Sequence, residues 1–175
     1  MLKNKRIFIT GCYGFVAQHL IFKLLENNNT VTGIFNKKYQ KQIFVVNKYI
    51  KNKKYKIIKG DITNKKFLNN LIKYNKFDFC YHLAAISQVL NSNAFPEITY
   101  KVNIFGTINL LESFRKYQPQ TNFIFSSSDK VYGDSQKLPY SEKSPLNALN
   151  FYDSSKASAD IICRTYANSF KMKII

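Results

Sequence analysis

Arg6–Ala17 reads RIFITGCYGFVA, a β-branched and aromatic run that passes directly into a glycine-containing turn and then into an amphipathic stretch. In such a turn the first glycine, Gly11, permits the sharp change of direction, and the second, Gly14, lets the backbone approach a pyrophosphate. A small third residue, Ala17, lets helix and strand pack closely, and the free amides of the helix then face the anion. An ordinary strand-to-helix turn could carry the same spacing, but the position directly after the first strand favours a phosphate-binding loop.

The rest of the chain alternates short β-branched or aromatic runs with longer amphipathic stretches, a pattern typical of repeated βα units around a parallel sheet. The predicted strands are Arg6–Thr10, Thr30–Phe35, Tyr55–Lys59, Phe77–Leu83 and Asn122–Ser127. The predicted helices are Phe15–Asn27, Gln40–Ile50, Lys65–Tyr74, Ile98–Lys116 and Tyr152–Phe170. These elements predict an α/β fold with a doubly wound parallel sheet.

Lys171–Ile175 has the composition of a sixth strand that stops almost as soon as it starts. A domain rarely ends in mid-strand. We therefore expect residues 1–175 to be one incomplete dinucleotide-binding domain, the front part of a longer architecture. A natural short product, a frameshift and a truncated piece would all give this result.

Composition excludes several classes of protein. With 175 residues and 45% apolar residues, the chain can bury one core without disulfides or a structural metal. Its three cysteines are an odd number at scattered spacings, which suggests neither a disulfide framework nor a metal site and fits a reducing compartment. The apolar stretch after the basic N-terminal residues is interrupted before it reaches secretory or membrane-spanning length. We expect a soluble, cytoplasmic protein with no membrane association.

The formal net charge of +17 would ordinarily suggest a polyanionic partner. However, 24 of the 27 basic residues are lysine and they are spread along the chain. Arginine is the better reader of phosphates and base edges, so a solvated basic surface is the favoured interpretation and no nucleic-acid partner is expected.

Two strand ends bear on the adenosine part of a dinucleotide. The residue that closes the second strand usually contacts the ribose, an acid for the free 2′-hydroxyl or a base for a 2′-phosphate. Here the sequence is Phe35-Asn36-Lys37-Lys38. No acid is present, so this position does not support NAD, and Lys37 or Lys38 could accept NADP. Asp61, after the third strand, supplies an acid where ligands bind, although a solvated turn aspartate would look the same.

Tyr152 and Lys156 lie four residues apart at the start of a predicted helix, so they share one face. A phenol is a weak base at neutral pH, and a nearby ammonium favours its phenolate form. Such a pair can move the proton of an alcohol or sugar hydroxyl while hydride passes to a nicotinamide. By itself the spacing also fits a surface pair on a helix.

A hydroxyl, an acid and an amine follow the fifth strand at Ser128, Asp129 and Lys130. The carboxyl end of a central strand is where ligands bind in open α/β sheets. A polar turn before Gly133 would explain the serines but not the adjacent acid and amine.

Taken in order, these motifs resemble the extended short-chain dehydrogenase/reductase family, the NAD-dependent epimerase/dehydratase group that acts on nucleotide sugars. The matching segments are Thr10-Gly11-x-x-Gly14-Phe15-Val16, Gly60-Asp61-Ile62, His82-Leu83-Ala84-Ala85, Asn103-x-x-Gly106-Thr107-x-Asn109-Leu110-Leu111-Glu112, Ser128-x-x-Val131-Tyr132-Gly133 and Tyr152-x-x-x-Lys156. They cover almost the whole chain. The resemblance implies a Rossmann-like sheet, truncated at the sixth strand and lacking the C-terminal substrate domain.

The resemblance also implies site residues and partners. NAD, with NADP as the alternative, would contact Gly11, Gly14, Phe15, Val16, Asn36, Lys37, Asp61, Ile62, Leu83, Ala84, Ala85, Asn103, Ser126, Tyr152 and Lys156. The nucleotide sugar would contact Ser87, Ser128 and Tyr152. The long helices around residues 100–115 and 152–168 would form a homodimer bundle, although they could equally be plain core helices.

Ser128-Asp129-Lys130 most resembles the CDP-glucose 4,6-dehydratase branch of the family. The reaction it implies is oxidation at C4 by Tyr152 and the cofactor, loss of water across C5 and C6, and return of hydride to C6. Asp129 would protonate the departing hydroxyl and Lys130, as a neutral amine, would act as the base at C5. A related 4-epimerase or reductase, or a catalytically silent dinucleotide-binding fragment, remains the alternative.

Overall fold

A computed structural model describes residues 2–36, 52–134 and 138–175 of the chain. The predicted helix Gln40–Ile50 and the candidate ligand Lys37 lie outside the described residues. Five strands form one sheet in the order β3-β2-β1-β4-β5, and every neighbouring pair is parallel. The strands are β1 (Arg6–Thr10), β2 (Thr30–Phe35), β3 (Tyr55–Lys59), β4 (Phe79–His82) and β5 (Asn122–Phe125). The predicted doubly wound α/β fold is confirmed.

The strand order reverses beside β1. From β1 the chain adds β2 and β3 on one side and then crosses to place β4 and β5 on the other. In open parallel sheets, the crevice outside the carboxyl ends of the strands at such a reversal is where ligands bind. The topology therefore puts the glycine-containing turn after β1 beside the segment after β4.

Helices cover both faces of the sheet. They are α1 (Phe15–Glu26), α2 (Lys65–Tyr74), α3 (Val89–Ala94), α4 (Pro96–Tyr100), α5 (Gly106–Tyr117) and α6 (Phe151–Phe170). A π-helical turn, Lys101–Phe105, joins α4 to α5, and a 3-10 turn, Asp129–Tyr132, follows β5. The predicted single helix Ile98–Lys116 is thus longer and interrupted, and the short α3 was not predicted.

Two predicted strands are shorter than expected: Phe77–Leu83 becomes β4, whose flanking amides donate to side chains, and Asn122–Ser127 becomes β5, which ends at Phe125. The backbone N–H of Phe77 donates to the Gln118 side chain at 2.8 Å, so β4 begins later. The N–H of Leu83 donates to the Thr10 hydroxyl at 3.1 Å, which ends β4 at His82.

The central strand β1 separates two apolar clusters. Phe8 packs with Phe114 and Phe123 on one face, whereas Ile7 and Ile9 belong to the cluster on the opposite face. All five side chains are completely buried. Alternation of side chains along a strand requires this division, and it leaves only the strand ends accessible to a ligand.

The residues after α6 run parallel to β5. The N–H of Phe123 donates to the carbonyl of Lys173, and the N–H of Ile175 donates back to the carbonyl of Phe123, at 2.8 and 2.9 Å. The expected start of a sixth strand is therefore confirmed. Among the described residues, no helix is both long and apolar enough to cross a bilayer.

A charged group joins the C-terminal halves of α5 and α6. The Glu112 carboxylate accepts two hydrogen bonds of 2.8 Å from Arg115 and one of 2.9 Å from the Tyr166 hydroxyl. The Arg115 guanidinium also lies 4.6 Å from the centre of the Phe170 ring. The Arg115 hydrogen bonds chiefly lower the pKa of Glu112 from its usual 4.5 to about 2, against the opposing effect of burial.

We expect Glu112→Gln to lower the free energy of unfolding at pH 7 by about 1–2 kcal/mol, because hydrogen bonds to the carboxylate lose their charge. A carboxyl whose pKa is lowered by folding stabilises above its ordinary pKa. The deficit should therefore shrink as the pH falls from about 4.5 towards 2. Urea unfolding at pH 7 and pH 3 measures it.

Glu26→Gln is the matched control, since in the described part of the chain Glu26 pairs only with the exposed Lys23 on α1. Its effect should stay within about 0.5 kcal/mol. Equal losses in the two variants would contradict a stabilising role for Glu112.

Candidate functional site

A cavity of roughly 570 Å³ opens at the carboxyl ends of the strands, where the topology predicts a ligand site. Most of the residues predicted from the sequence line it: Gly11, Gly14, Phe15, Val16, Asn36, Asp61, Ile62, Leu83, Ala84, Ala85, Ser87, Ser126, Tyr152 and Lys156. Further lining residues were not predicted: Tyr13, Ala17, Gln18, Ile34, Phe35, Gly60, Ile86, Gln88, Val102 and Ser127. Most of these adjoin predicted positions, but Val102 comes from the π-helical turn, which no pattern in the sequence indicated.

The turn after β1 has the conformation that its glycines suggest. Gly11 has a φ of +69°, and a Cβ atom built there would lie 2.9 Å from the Cα of Ala84. Gly14 is the N-cap of α1 and has no side chain that could occupy the first amides of the helix. Phe15 and Val16, in the first turn, are 74% and 64% exposed at the cavity. The turn thus presents backbone N–H groups where an anion can approach them.

A hydroxyl and an imidazole lock the carboxyl ends of β1 and β4 together. The Thr10 hydroxyl oxygen accepts the N–H groups of Leu83 and Ala84 at 3.1 and 3.0 Å. It lies 2.8 Å from Nδ1 of His82, to which it donates its own proton. The turn after β1 and the segment after β4 are therefore held at a fixed separation.

His82 is buried and neutral. The Thr107 hydroxyl donates to the carbonyl of Asn103 at 2.6 Å, so it accepts from Nε2 of His82 at 2.9 Å. Burial, and secondarily the charge of Lys156, lower the pKa of His82 from 6.5 to about 3. The imidazole consequently carries its proton on Nε2 and bridges β1 to α5. Its contribution is structural.

Asn103 lies behind the cavity and is not one of the residues that line it. Its side-chain oxygen accepts the N–H of Ile86 at 2.8 Å, and its amide donates to the carbonyl of Ile86 and to the Ser155 hydroxyl. Ser155 in turn donates to the carbonyl of Tyr152 at 2.7 Å. Asn103 was predicted to lie near a cofactor; the structure shows it fixing the loop after β4 against the first turn of α6.

Tyr152 and Lys156 both reach the cavity from α6. Lys156 is only 5% exposed, donates to the carbonyl of Ser126 and stands 4.2 Å from the centre of the Phe125 ring. Burial lowers the pKa of Lys156 from 10.5 to about 8, while the charge of the Asp160 carboxylate acts in the opposite direction. The cavity therefore contains a half-buried phenol and an ammonium on one helical face.

Asp61 brings a carboxylate to the end of β2. Its Oδ2 accepts from the Asn36 amide at 2.6 Å, and its Oδ1 accepts from the N–H and hydroxyl of Thr63 at 2.8 Å. The sequence showed no acid at the end of β2 itself, but pairing of β2 with β3 places one beside Asn36. The acid at this part of the cavity therefore comes from the neighbouring strand.

Ser128, Asp129 and Lys130 occupy the 3-10 turn and are not among the described residues that line the cavity. The Ser128 hydroxyl donates to Asp129 and accepts the N–H of Lys130, both at 3.2 Å. The Lys130 amine is half exposed and lies 4.0 Å from the carboxylate of Asp134. The turn packs against α6 without bringing the three groups into the cavity beside Tyr152.

The family model and the curated relative that match this chain are both described as 4,6-dehydratases. The family model described as GDP-mannose 4,6 dehydratase matches residues 8–175. The dTDP-D-glucose 4,6-dehydratase of Homo sapiens is 33% identical over 175 residues, which cover 98% of this chain and 49% of that protein. The chain thus spans about half the length of the curated relatives that it matches.

Solved structures superimpose closely. The dTDP-glucose 4,6-dehydratase of Bacillus anthracis, solved in complex with NAD, has a TM-score of 0.85 at 27% identity and aligns with 97% of this chain and 53% of its own. The UDP-glucose 4-epimerase of Bifidobacterium longum, solved with NAD+ and UDP, has a TM-score of 0.85 at 28% identity, covering 94% and 49%. Both a dehydratase and an epimerase therefore share this architecture.

We expect Gly11→Ala to lower the free energy of unfolding by about 2 kcal/mol, because the new Cβ meets backbone atoms at a positive φ. Gly14→Ala is the control. Gly14 has a φ of −66°, and its added Cβ would approach only the carbonyl oxygen of Gly11, at 3.1 Å. Its loss should be about 1 kcal/mol or less. Urea unfolding followed by circular dichroism compares them, and a larger loss for Gly14→Ala would refute this account of the turn.

Proposed function

We propose that this chain binds NAD and is a nucleotide-sugar 4,6-dehydratase or the N-terminal, cofactor-binding part of one. The premise is its family: the chain belongs to the GDP-mannose 4,6 dehydratase family, within the NAD-dependent epimerase/dehydratase group of extended short-chain dehydrogenases/reductases. The observation that carries the proposal is the joint placement of Tyr152, Lys156 and the Gly11 turn around one cavity. The curated human relative is a 4,6-dehydratase, and a structural neighbour binds NAD.

The residues present fit a dinucleotide. The turn at Gly11, whose backbone packs closely against Ala84, and the uncapped start of α1 suit the pyrophosphate. Asn36 and Asp61 suit the adenosine ribose, and the Asp61 carboxylate favours NAD over the 2′-phosphate of NADP. When bound, the nicotinamide would supply a hydride acceptor. The chain's own contribution is to bind, orient and manage the proton.

Tyr152 and Lys156 would manage that proton. The Tyr152 phenolate, which the Lys156 ammonium favours, would take the proton of a sugar hydroxyl and become the neutral phenol. The Ser126 carbonyl and the Phe125 ring hold the ammonium in place while most of its surface is buried. In this arrangement Lys156 acts in its charged form.

The dehydration step is assigned to the 3-10 turn. Ser128 would bind the reacting sugar hydroxyl, with Ser87 contacting the sugar from the loop after β4. Asp129 would protonate the leaving hydroxyl, and Lys130 would remove the proton at C5. Since Lys130 is half exposed, the bound nucleotide sugar itself would have to desolvate its amine.

A nucleotide-sugar 4-epimerase is the second candidate. The position of Asp129 and Lys130 outside the cavity lining favours it, because epimerisation at C4 needs redox chemistry but no elimination. The UDP-glucose 4-epimerase of Bifidobacterium longum superimposes on this chain with the same TM-score, 0.85, as the dehydratase of Bacillus anthracis.

We also propose a homodimer formed through the helices around residues 100–115 and 152–168. Phe105 and Ile161 on these helices are 59% and 51% exposed, more than such side chains usually are. Analytical ultracentrifugation tests the dimer, and a monomer at high concentration would exclude it.

The buried free cysteines Cys12, Cys80 and Cys163 favour a cytoplasmic location, which fractionation of the source cells would check.

We expect the chain to bind NADH, measured by fluorescence titration, and Lys156→Ala to weaken the binding about tenfold through loss of one charged donor. Tyr152→Phe should retain affinity within about threefold, because only its hydroxyl is removed. Lys66→Ala, on the exposed face of α2, is the matched control for loss of one lysine. An equal loss in Lys66→Ala and Lys156→Ala would exclude a specific role for Lys156.

The second experiment separates dehydratase from epimerase. The protein with NAD+ is incubated with CDP-glucose, dTDP-glucose, UDP-glucose and GDP-mannose, and products are identified by mass spectrometry and NMR. A 4-keto-6-deoxy product, lighter by one water and lost in Asp129→Asn and Lys130→Met, is expected. A product of unchanged mass with C4 inverted would favour the epimerase, and NADH binding without any product would favour a dinucleotide-binding fragment.

A further inference from the structure

The segment Ser126–Ser128, here called the serine turn, connects β5 to the 3-10 turn and faces α6. The carbonyl of Ser126 accepts the ammonium of Lys156. The hydroxyl of Ser127, which lines the cavity, donates to Oδ2 of Asp160 at 2.7 Å. The serine turn therefore has two attachments to α6, one through a carbonyl and one through a hydroxyl.

The attachments lie on one face of the helix. Lys156, Asp160 and Arg164 follow each other at intervals of four residues, so their side chains are neighbours. Arg164 donates through Nε to Oδ1 of Asp160 at 2.6 Å. The Asp160 side chain is only 16% exposed, whereas that of Arg164 is 59% exposed. One carboxylate oxygen is thus directed to the serine turn and the other to a solvated arginine.

We propose that Asp160 is a positioning residue for Lys156: it ties the serine turn to α6 so that the Ser126 carbonyl meets the ammonium, and its charge offsets the burial of that ammonium. The inference rests on the proposed function only in that Lys156 is taken to act on bound dinucleotide. Asp160 and Ser127 formed no part of the site predicted from the sequence.

Among the described groups that face Lys156, Asp160 supplies the negative charge. The groups that face Lys156 in the described part of the chain are His82 on β4, the Phe125 ring on β5, and Tyr152, Asp160 and Cys163 on α6. His82 is neutral, and burial raises the pKa of Cys163 to about 12, so its thiol is neutral as well.

Burial lowers the pKa of Lys156 to about 8, and Asp160 opposes that effect at neutral pH. Without the carboxylate, the ammonium should lose its proton at a lower pH. A role that is only structural would not move this titration, which makes it the discriminating readout.

Four variants separate the hydrogen bond between Ser127 and Asp160 from the charge of the Asp160 carboxylate. Asp160→Asn keeps an oxygen that can accept from Ser127 but removes the charge. Ser127→Ala removes the tie and keeps the charge, and Ser127→Thr restores the hydroxyl. Arg164→Gln is the control, because it removes an exposed cation without touching the serine turn.

Two measurements apply to each variant. NMR of protein labelled with ε-¹³C-lysine follows the titration of Lys156, whose signal is assigned by its loss in Lys156→Met. Fluorescence titration with NADH at pH 6.5 and pH 8 follows dinucleotide binding, and circular dichroism checks folding.

For Asp160→Asn we expect the Lys156 titration to fall by about one pH unit. NADH affinity should drop about threefold at pH 8 and by less than about 1.5-fold at pH 6.5, where the ammonium is still largely charged. Ser127→Ala should weaken NADH binding at both pH values, by about threefold or more, and Ser127→Thr should bind like the wild type. Arg164→Gln should leave binding unchanged.

An unchanged Lys156 titration in Asp160→Asn, or equal binding by Ser127→Ala and Ser127→Thr, would overturn the proposal. If Asp160→Asn does not fold, the pair of Ser127 variants decides the question. If the wild-type chain does not bind NADH, the proposed function fails, while the titration of Lys156 still tests the role of Asp160.

Discussion

The junction between the carboxyl ends of β1 and β4 is the constraint on which the rest of the site depends. The Thr10 hydroxyl receives two backbone N–H groups from the β4 side and donates to His82, and Gly11 passes so close to Ala84 that no Cβ would fit between them. Because the strand order reverses at this point, none of the five described strands covers the crevice. The junction thus fixes both walls of the cavity before any ligand arrives.

From this junction a series of buried hydrogen bonds continues to the start of α6. His82 leads to Thr107, Thr107 to the backbone of Asn103, and the Asn103 side chain to Ser155, which bonds the carbonyl of Tyr152. Each member is satisfied, and satisfied buried networks tend to fix a single arrangement of side chains. The phosphate-binding turn and the redox pair, separated by some 140 residues in the chain, are held together by the interior of the protein.

Lys156 shows how burial and charge are balanced in the cavity. A buried amine favours its neutral form, but the proposed role needs the ammonium. The Ser126 carbonyl, the Phe125 ring and the nearby Asp160 carboxylate each favour the charged form. By contrast, Lys130 is half exposed and outside the cavity lining. The proposed role of Lys130 needs a neutral amine, and a bound substrate would have to desolvate that amine first.

The amino-acid sequence by itself determined the features that depend on local geometry. A glycine at a positive φ, the start of a helix and a pair four residues apart are set by neighbouring residues, so Gly11, Gly14, Tyr152 and Lys156 could be identified without coordinates. The alternation of strand-like runs with amphipathic stretches likewise predicted all five strands and their parallel arrangement. The strand β4 is shorter than predicted where distant side chains accept its flanking amides, as Gln118 does from Phe77. What only the tertiary structure decided is which distant groups meet. His82 as a neutral bridge, Asn103 behind the cavity, the Asp61 carboxylate beside Asn36, and Asp160 on the serine turn all depend on contacts between residues 17 to 72 positions apart. Such contacts follow from strand order and helix docking, which no short stretch of sequence encodes.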